Sequence, residues 1–281
     1  MPELPEVETI ARRLQSVITG KQIQSLNIHH PKSFVGNVAH IEGSTITDVA
    51  RQAKIITIHL TGTHSLLVHL KMTGQLIYQD ESGRVGGGHP TADWVQTLPS
   101  KHTRVSLGLS GGAQLYFNDM RLFGWIKAMT PDEAAVELAR YGPDVNAPEM
   151  TLEYFSQGLA RKNAPVKTAI MDAQWLAGVG NIYANDALFL AKIDPRRAAS
   201  SLNLSEISTL YDELQSVIQL GIETGGATIS HYHNIDGFAG KYQDHLQVYQ
   251  REGLPCLRCG TALIRIKQGG RSSFLCPSCQ K

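Results

Sequence analysis

No cysteine precedes residue 256 in this chain of 281 residues, which excludes a disulfide-built scaffold for its main body. Long hydrophobic runs are also missing. No stretch approaches the ~20 apolar residues of a spanning helix, so no membrane partner is expected. Charge is sparse at 18% and balanced to a net +1, so overall charge does not announce a polyanion ligand. Two local absences say more. The first ten residues hold Glu3, Glu6 and Glu8 but no base, the reverse of a signal or transit peptide, which points to a cytoplasmic protein. Residues 253–281 hold Arg258, Arg265, Lys267, Arg271 and Lys281 but no acid. A carboxylate-rich start and a basic tail suit a polyanion brought to an acid/base site.

What is present is an ordinary globular composition, 42% hydrophobic, without internal repeats or low-complexity tracts. After Pro5, the residues Val7, Ile10, Ala11, Leu14, Val17 and Ile18 recur at helical spacing, with Pro5 suited to the first turn and Gly20 to the stop. "KIITIHL", "SLLVHL", "RVSLGLS" and "AQLYFND" read as strands. "QDESGRVGGGHPTADWVQTLPS" is polar and rich in glycine and proline, and reads as a long flexible loop. A helix begins in "MTPDEAAVELAR", and from about residue 151 the pattern is helical. "ATISHYHNIDGFAGKYQDHLQVYQ" reads as a loop towards the tail. The chain is therefore α+β and multidomain: a β-sandwich or barrel with a leading helix, a helical part, and a small terminal module.

The four cysteines, Cys256, Cys259, Cys276 and Cys279, form C-x2-C-x16-C-x2-C, the spacing of a zinc ribbon. Two disulfides are the alternative, disfavoured in the cytosol. Four thiolates leave no open position, so one structural Zn2+ is expected. Other motifs are weaker alone. Gly178, Gly180 and Asn181 could expose backbone N–H groups to a phosphate at a helix start, or Asn181 could simply cap that helix. Arg121 and Phe123 in "NDMRLFGW" suit insertion into a nucleic-acid stack, though Phe123 alone reads as core. Met72 in "HLKM" suits core filling, and Lys54 in "RQAKII" a solvated strand edge. Arg271, in the glycine turn of "GGRSSF", could serve solubility or be delivered by a braced hairpin to a phosphate.

Together these motifs closely resemble the formamidopyrimidine-DNA glycosylase (bacterial MutM type) and endonuclease VIII family. The likeness covers "PELPEVE", "HLKMTG", "KHTRV", "DMRLFG", "KTAIMDAQWLAGVGNIYANDALF" and the ribbon "PCLRCGT…GGRSSFLCPSCQK". "PELPEVE" with Met72 is similar to the formamidopyrimidine branch. The resemblance implies a catalytic β-sandwich domain with a leading helix over 1–130 and a helix end and linker over 131–150. A helix-two-turn-helix DNA-binding domain over 151–250 and a zinc finger over 251–281 follow, with DNA across the cleft between the domains. It implies a monomeric, nucleoid-associated base-excision repair enzyme acting on duplex DNA with oxidised bases or abasic sites.

By the same resemblance Pro2 is the nucleophile once Met1 is removed, and Glu3 is the general acid/base. Lys54 serves β-elimination, Arg271 serves δ-elimination, and Glu6 orients the N-terminus. His102, Arg121 and Lys162 match DNA contacts. Asn181, His69, Tyr249 and Arg265 match phosphate contacts near the extruded nucleotide. Met72, Arg121 and Phe123 match the fillers of the vacated stack, which base flipping requires. Arg258 is a ribbon cation outside the matching positions. Departures from the family pattern are Leu122 in place of a second basic residue, Lys71 where glycine or arginine is frequent, and the glycine-rich segment between Gln79 and Ser100. Three other readings remain open: an endonuclease VIII-like glycosylase for oxidised pyrimidines, a non-catalytic DNA-binding protein on the same scaffold, and a zinc-ribbon transcription or ribosome-associated factor.

Overall fold

The computed structural model describes residues 1–89, 91–94, 96–228 and 240–281. Part of the loop read after Ala227, residues 229–239, lies outside the described residues. The chain divides into two compact units: 1–140 with 225–241, and 141–224 with 242–281.

The first unit begins with α1 (Leu4–Ile18). Glu3 is its N-cap and Pro5 lies in its first turn. The Glu3 N–H donates to Glu6 Oε2 at 2.8 Å, which satisfies one donor that a helix start leaves open. Leu4, Val7, Ile10, Ala11, Leu14 and Ile18 are buried on one face. Ten strands follow: β1 (Ile23–Ile28), β2 (Phe34–Val35), β3 (Ile46–Gln52), β4 (Ile55–Leu60), β5 (Ser65–His69), β6 (Gly74–Asp80), β7 (Gly83–Gly88), β8 (Thr103–Leu109), β9 (Gln114–Asp119) and β10 (Trp125–Met129). They form two five-stranded sheets, β1-β8-β9-β6-β7 and β2-β10-β5-β4-β3, antiparallel except for the short β10–β2 pair. Both sheets and α1 contribute to one apolar core. α1 packs on β3 and β7, the edge strands of the two sheets, and so shields edges that would otherwise invite pairing.

The glycine-rich segment is therefore not one long loop. Its glycines form β7, paired antiparallel with β6 from Gln75↔Gly88 to Asp80↔Gly83. A Cβ on Gly87 would stand 2.7 Å from Ile10 Cγ1, and one on Gly88, at φ +131°, would stand 2.4 Å from the Gly74 carbonyl oxygen. Gly86, Gly87 and Gly88 lack side chains because β6 and α1 occupy the space.

α2 (Pro131–Leu138) closes the first stretch of this unit with a Thr130/Glu133 capping box. The second unit holds α3 (Leu152–Ala160), α4 (Val166–Ile170), α5 (Asn181–Leu190), the long α6 (Leu204–Glu223) and the hairpin β11 (Ile264–Gln268) to β12 (Arg271–Leu275). The fold is thus an α+β chain with a helix-led β-sandwich, a helical region and a terminal ribbon. Among the described residues, no helix is long and apolar enough to cross a membrane.

Candidate functional site

In the first unit, Pro2 and Glu3 sit at the start of α1 and both are buried, Glu3 to 3% exposure. Glu6 ties this start to the returning segment, since the Ala227 N–H donates to Glu6 Oε1 at 2.6 Å. Lys54 lies in the two-residue turn between β3 and β4, not within a strand, because Gln52 pairs with Ile55 and closes the hairpin. It is half-buried.

His69 ends β5, opposite both Ile55 and Trp125. Its ring meets the Trp125 ring edge-on at 5.7 Å, and its Nδ1 accepts the Lys71 N–H at 3.1 Å. Burial, with help from Lys71, Lys54 and Lys127, depresses its pKa to about 3. The ring is therefore neutral at physiological pH with its proton on Nε2, a donor without a charge.

Met72 and the Arg121–Phe123 loop are brought together by one carboxylate. Asp119 is fully buried and receives the Thr73 hydroxyl and the N–H groups of Arg121 (3.1 Å), Phe123 (2.8 Å) and Gly124 (2.7 Å). The Arg121 N–H also reaches Thr73 Oγ1 at 3.1 Å, so the two turns share one polar anchor. Above it the side chains are presented outward. Met72 is 39% and Phe123 51% exposed, with the Arg121 guanidinium 4.8 Å from the Phe123 ring centre. Phe123 is thus not a core residue. His102 joins the same region through its carbonyl, which accepts the Asp119 N–H, and its Nδ1 stands 2.8 Å from Asp93 Oδ2. Burial raises the Asp93 carboxyl, but Ser100, His102 and Thr91 outweigh it and hold the group below its usual range.

In the second unit, Gly180 caps α5 and Asn181 is its first residue, so Asn181 is not the N-cap. Asn181 Oδ1 accepts the ammonium of buried Lys167 at 2.6 Å, and that ammonium also donates to the Ser272 carbonyl (2.7 Å) and Ser273 Oγ (2.8 Å). Asn185 adds a second stitch, with Oδ1 accepting the Phe274 N–H at 2.8 Å. The helix start and the ribbon strand are locked together, which presents Asn181 beside β12. Tyr249 packs edge-on to Phe274 at 5.3 Å. Its N–H and that of Val248 donate to Asp186 Oδ1. Lys162 is engaged by Asp172 Oδ2 at 2.8 Å and lies 5.5 Å from the Trp175 ring centre.

Arg271 opens β12 directly after Gly269 and Gly270, whose φ values of +55° and +76° make the tight turn. It is exposed and lines a hollow of about 500 Å3 with Arg265, Lys267, Ser272 and Glu252. Arg265 Nε donates to Ser272 Oγ at 2.9 Å. Arg258 is a different case: its guanidinium donates to the Phe189 and Leu190 carbonyls at 3.2 and 3.4 Å and lies 4.6 Å from the Phe189 ring centre. It braces the end of α5 rather than facing solvent freely.

Among the described residues, the one group of three or more His, Cys, Asp or Glu side chains able to hold a metal is Cys256, Cys259, Cys276 and Cys279, whose sulfurs all lie within 4.8 Å of one another. The separations Cys259–Cys276 (3.5 Å) and Cys256–Cys279 (3.9 Å) bracket the ~3.8 Å edge of a tetrahedron with ~2.3 Å Zn–S bonds. The Thr261 hydroxyl draws the Cys259 thiol down to about 6, while Cys279, hydrogen-bonded to Cys259, is pushed up to about 12. A dication satisfies all four as thiolates. The ribbon binds one structural zinc, and the four protein ligands complete its coordination.

Sequence reasoning did not single out Asp119, Asp186 or Lys167. Only Lys167 carried a signal, a cation among apolar neighbours Val166, Ala169 and Ile170 in a helical run. Pro2, Glu3, Lys54, His69, Met72, His102, Arg121 and Phe123 fall in the first unit. Lys162, Asn181, Tyr249, Arg265, Arg271 and the cysteines fall in the second.

Three family models match: the formamidopyrimidine-DNA glycosylase N-terminal domain over residues 1–126, its H2TH domain over 141–233, and the zinc finger found in FPG and IleRS over 253–281. The formamidopyrimidine-DNA glycosylase of Streptococcus mutans is 38% identical, covering 100% of both chains. That of Pelotomaculum thermopropionicum is 39% identical over 100% of this chain and 99% of its own. Among solved structures, the MutM (FPG) protein of Thermus thermophilus superposes with a TM-score of 0.86 at 36% identity, covering 99% of this chain and 98% of that one. The Lactococcus lactis Fpg in complex with an abasic site containing DNA does so at 0.88 and 29%, covering 100% of both.

Proposed function

The chain belongs to the formamidopyrimidine-DNA glycosylase family, and from that premise we propose that it is a bifunctional glycosylase and abasic-site lyase for oxidised purines in duplex DNA. The observation that carries this reading is the helix start: a buried proline at position 2, followed by a buried carboxylate as N-cap. Once Met1 is removed, Pro2 offers a secondary amine. An α-amino group titrates near ~8, so part of it is neutral and nucleophilic at cellular pH. Its lone pair forms a bond to the sugar C1′, the bond from C1′ to the base breaks, and the base leaves with a proton that Glu3 supplies. The Pro2 nitrogen then gives up its proton, the C1′–ring-oxygen bond breaks with a proton delivered to that oxygen, and an iminium is left between Pro2 and C1′. A secondary amine makes that iminium a permanent cation, which acidifies the C2′ hydrogen. Its removal, aided by Lys54, expels the 3′-phosphate. A second elimination, aided by Arg271, expels the 5′-phosphate, and hydrolysis frees Pro2.

The target nucleotide must leave the helix before C1′ is reachable. Met72, Arg121 and Phe123 are exposed on turns fixed by Asp119, which suits them to fill the vacated stack. Neutral His69, Asn181, Tyr249 and Arg265 are assigned to phosphates near the flipped nucleotide, and His102 and Lys162 to the flanking backbone. The zinc holds the ribbon that carries Arg271 and takes no chemical step. The experiment is a lesion panel: duplexes with 8-oxoguanine opposite cytosine should be incised faster than duplexes with thymine glycol. The reverse order would assign the chain to oxidised pyrimidines instead.

A further inference from the structure

α1 carries Glu8 in its second turn. Glu8 Oε1 receives Arg12 Nε and Glu8 Oε2 receives Arg51 Nε, each at 2.6 Å. Burial raises the Glu8 carboxyl, but Arg51 and Arg12 outweigh it and hold it ionised below the usual range. The two arginines differ. Arg12 is 65% exposed, whereas the Arg51 side chain is 8% exposed and continues inward. Arg51 Nη1 donates to the Ala53 carbonyl at 2.9 Å. Ala53 is buried at φ +54°, a left-handed conformation that a residue with a Cβ resists. The next residue is Lys54. A charge-assisted chain thus runs from the helix that begins at Pro2 and Glu3 to the strained carbonyl beside Lys54.

We infer that Glu8 and Arg51 are positioning residues for strand cleavage, forming a clamp that fixes the Lys54 turn relative to the helix carrying the reactive amine. The inference rests on the elimination role proposed for Lys54. The clamp acts through the Lys54 turn, which Arg51 reaches at the Ala53 carbonyl. A cation buried beside a strained turn needs its carboxylate partner, so loss of either should let the turn relax and displace Lys54 while Pro2 and Glu3 stay in place.

The test is single-turnover reaction of the full-length zinc-loaded protein on an 8-oxoguanine duplex, reading base release and strand cleavage separately, with borohydride trapping alongside. Glu8→Gln keeps the side-chain shape and removes the charge. Arg51→Met removes the hydrogen bonds to Glu8 and to the Ala53 carbonyl. Strand cleavage is expected to fall at least about tenfold relative to base release in both, with the trapped fraction retained. Arg12→Ala, which shares Glu8 but does not reach the turn, should keep the parental ratio. A merely structural role would lower both steps together and leave the ratio unchanged, which would overturn the inference. If Arg51→Met does not fold, Glu8→Gln decides. Lys54→Ala separates the two levels: if it cleaves like the parent, the reading of Lys54 falls and the clamp with it. If it uncouples the steps and neither clamp variant does, only the clamp is overturned.

Discussion

Arg271 and Arg258 carry the same charge on the same ribbon and have different surroundings. Arg271 is exposed at the head of β12, whereas Arg258 is bonded to the carbonyls that end α5. A guanidinium grip on a phosphate contributes on the order of 1.5–3 kcal/mol. Arg271→Ala should therefore lower lesion incision by at least about tenfold, while zinc content and melting temperature barely change. Lys267→Ala, lining the same hollow, should cost less. Equal losses in an incision assay would make the ribbon a diffuse electrostatic patch. His69 offers a second test. Its folded pKa, about 3, lies below the ordinary 6.5, so between these values the unfolded chain binds a proton that the native ring refuses. The stability it contributes is present above pH 6.5 and is lost as pH falls towards 3. Urea midpoints measured from pH 7.5 down to 4 should fall less steeply for His69→Gln than for the parent. Parallel curves would contradict the buried neutral ring.

At the scale of elements, β7 is the instructive case. Glycine is depleted in strands, so GRVGGG gives no strand signal by propensity. The strand exists because β6 offers a pairing edge and α1 needs a flat surface, neither of which is visible locally. Gly87→Val should place its Cβ against Ile10 and destabilise the first unit by about 1–3 kcal/mol, seen in its melting transition. An unchanged transition would mean that α1 does not approach as described. α1 itself, the β4, β5, β8 and β9 runs and the cysteine quartet were legible because each has a local pattern: helical periodicity, β-branched runs, metal spacing. Lys54 read as a strand residue because the turn around it contains no glycine, asparagine or proline. Phe123 read as core because aromatics usually are, and the Asp119 side chain that holds its loop outward, through nearby N–H groups and the distant Thr73 hydroxyl, follows no sequence pattern. Arg258 read as a spare cation because the carbonyls it meets lie far away in sequence.

At the scale of the whole molecule, the two units depend differently on the metal. The first has a continuous apolar core of sheets and helix. In the second, Cys256 and Cys276 are themselves part of a small cluster with Phe189, Val248, Leu263 and Phe274. Metal binding contributes folding energy there. One zinc per chain should be found, and its removal by chelation should lower a melting transition of the second unit while that of the first stays in place. A single unshifted transition would contradict a structural metal. The whole proposed reaction turns on the amine of Pro2 as the reacting group. Borohydride reduction of the protein on an 8-oxoguanine duplex, followed by peptide mass mapping of the cross-link, tests it most directly. One adduct is expected, on an N-terminal peptide beginning at Pro2. An adduct on a lysine such as Lys54, or full activity in protein that retains Met1, would contradict it.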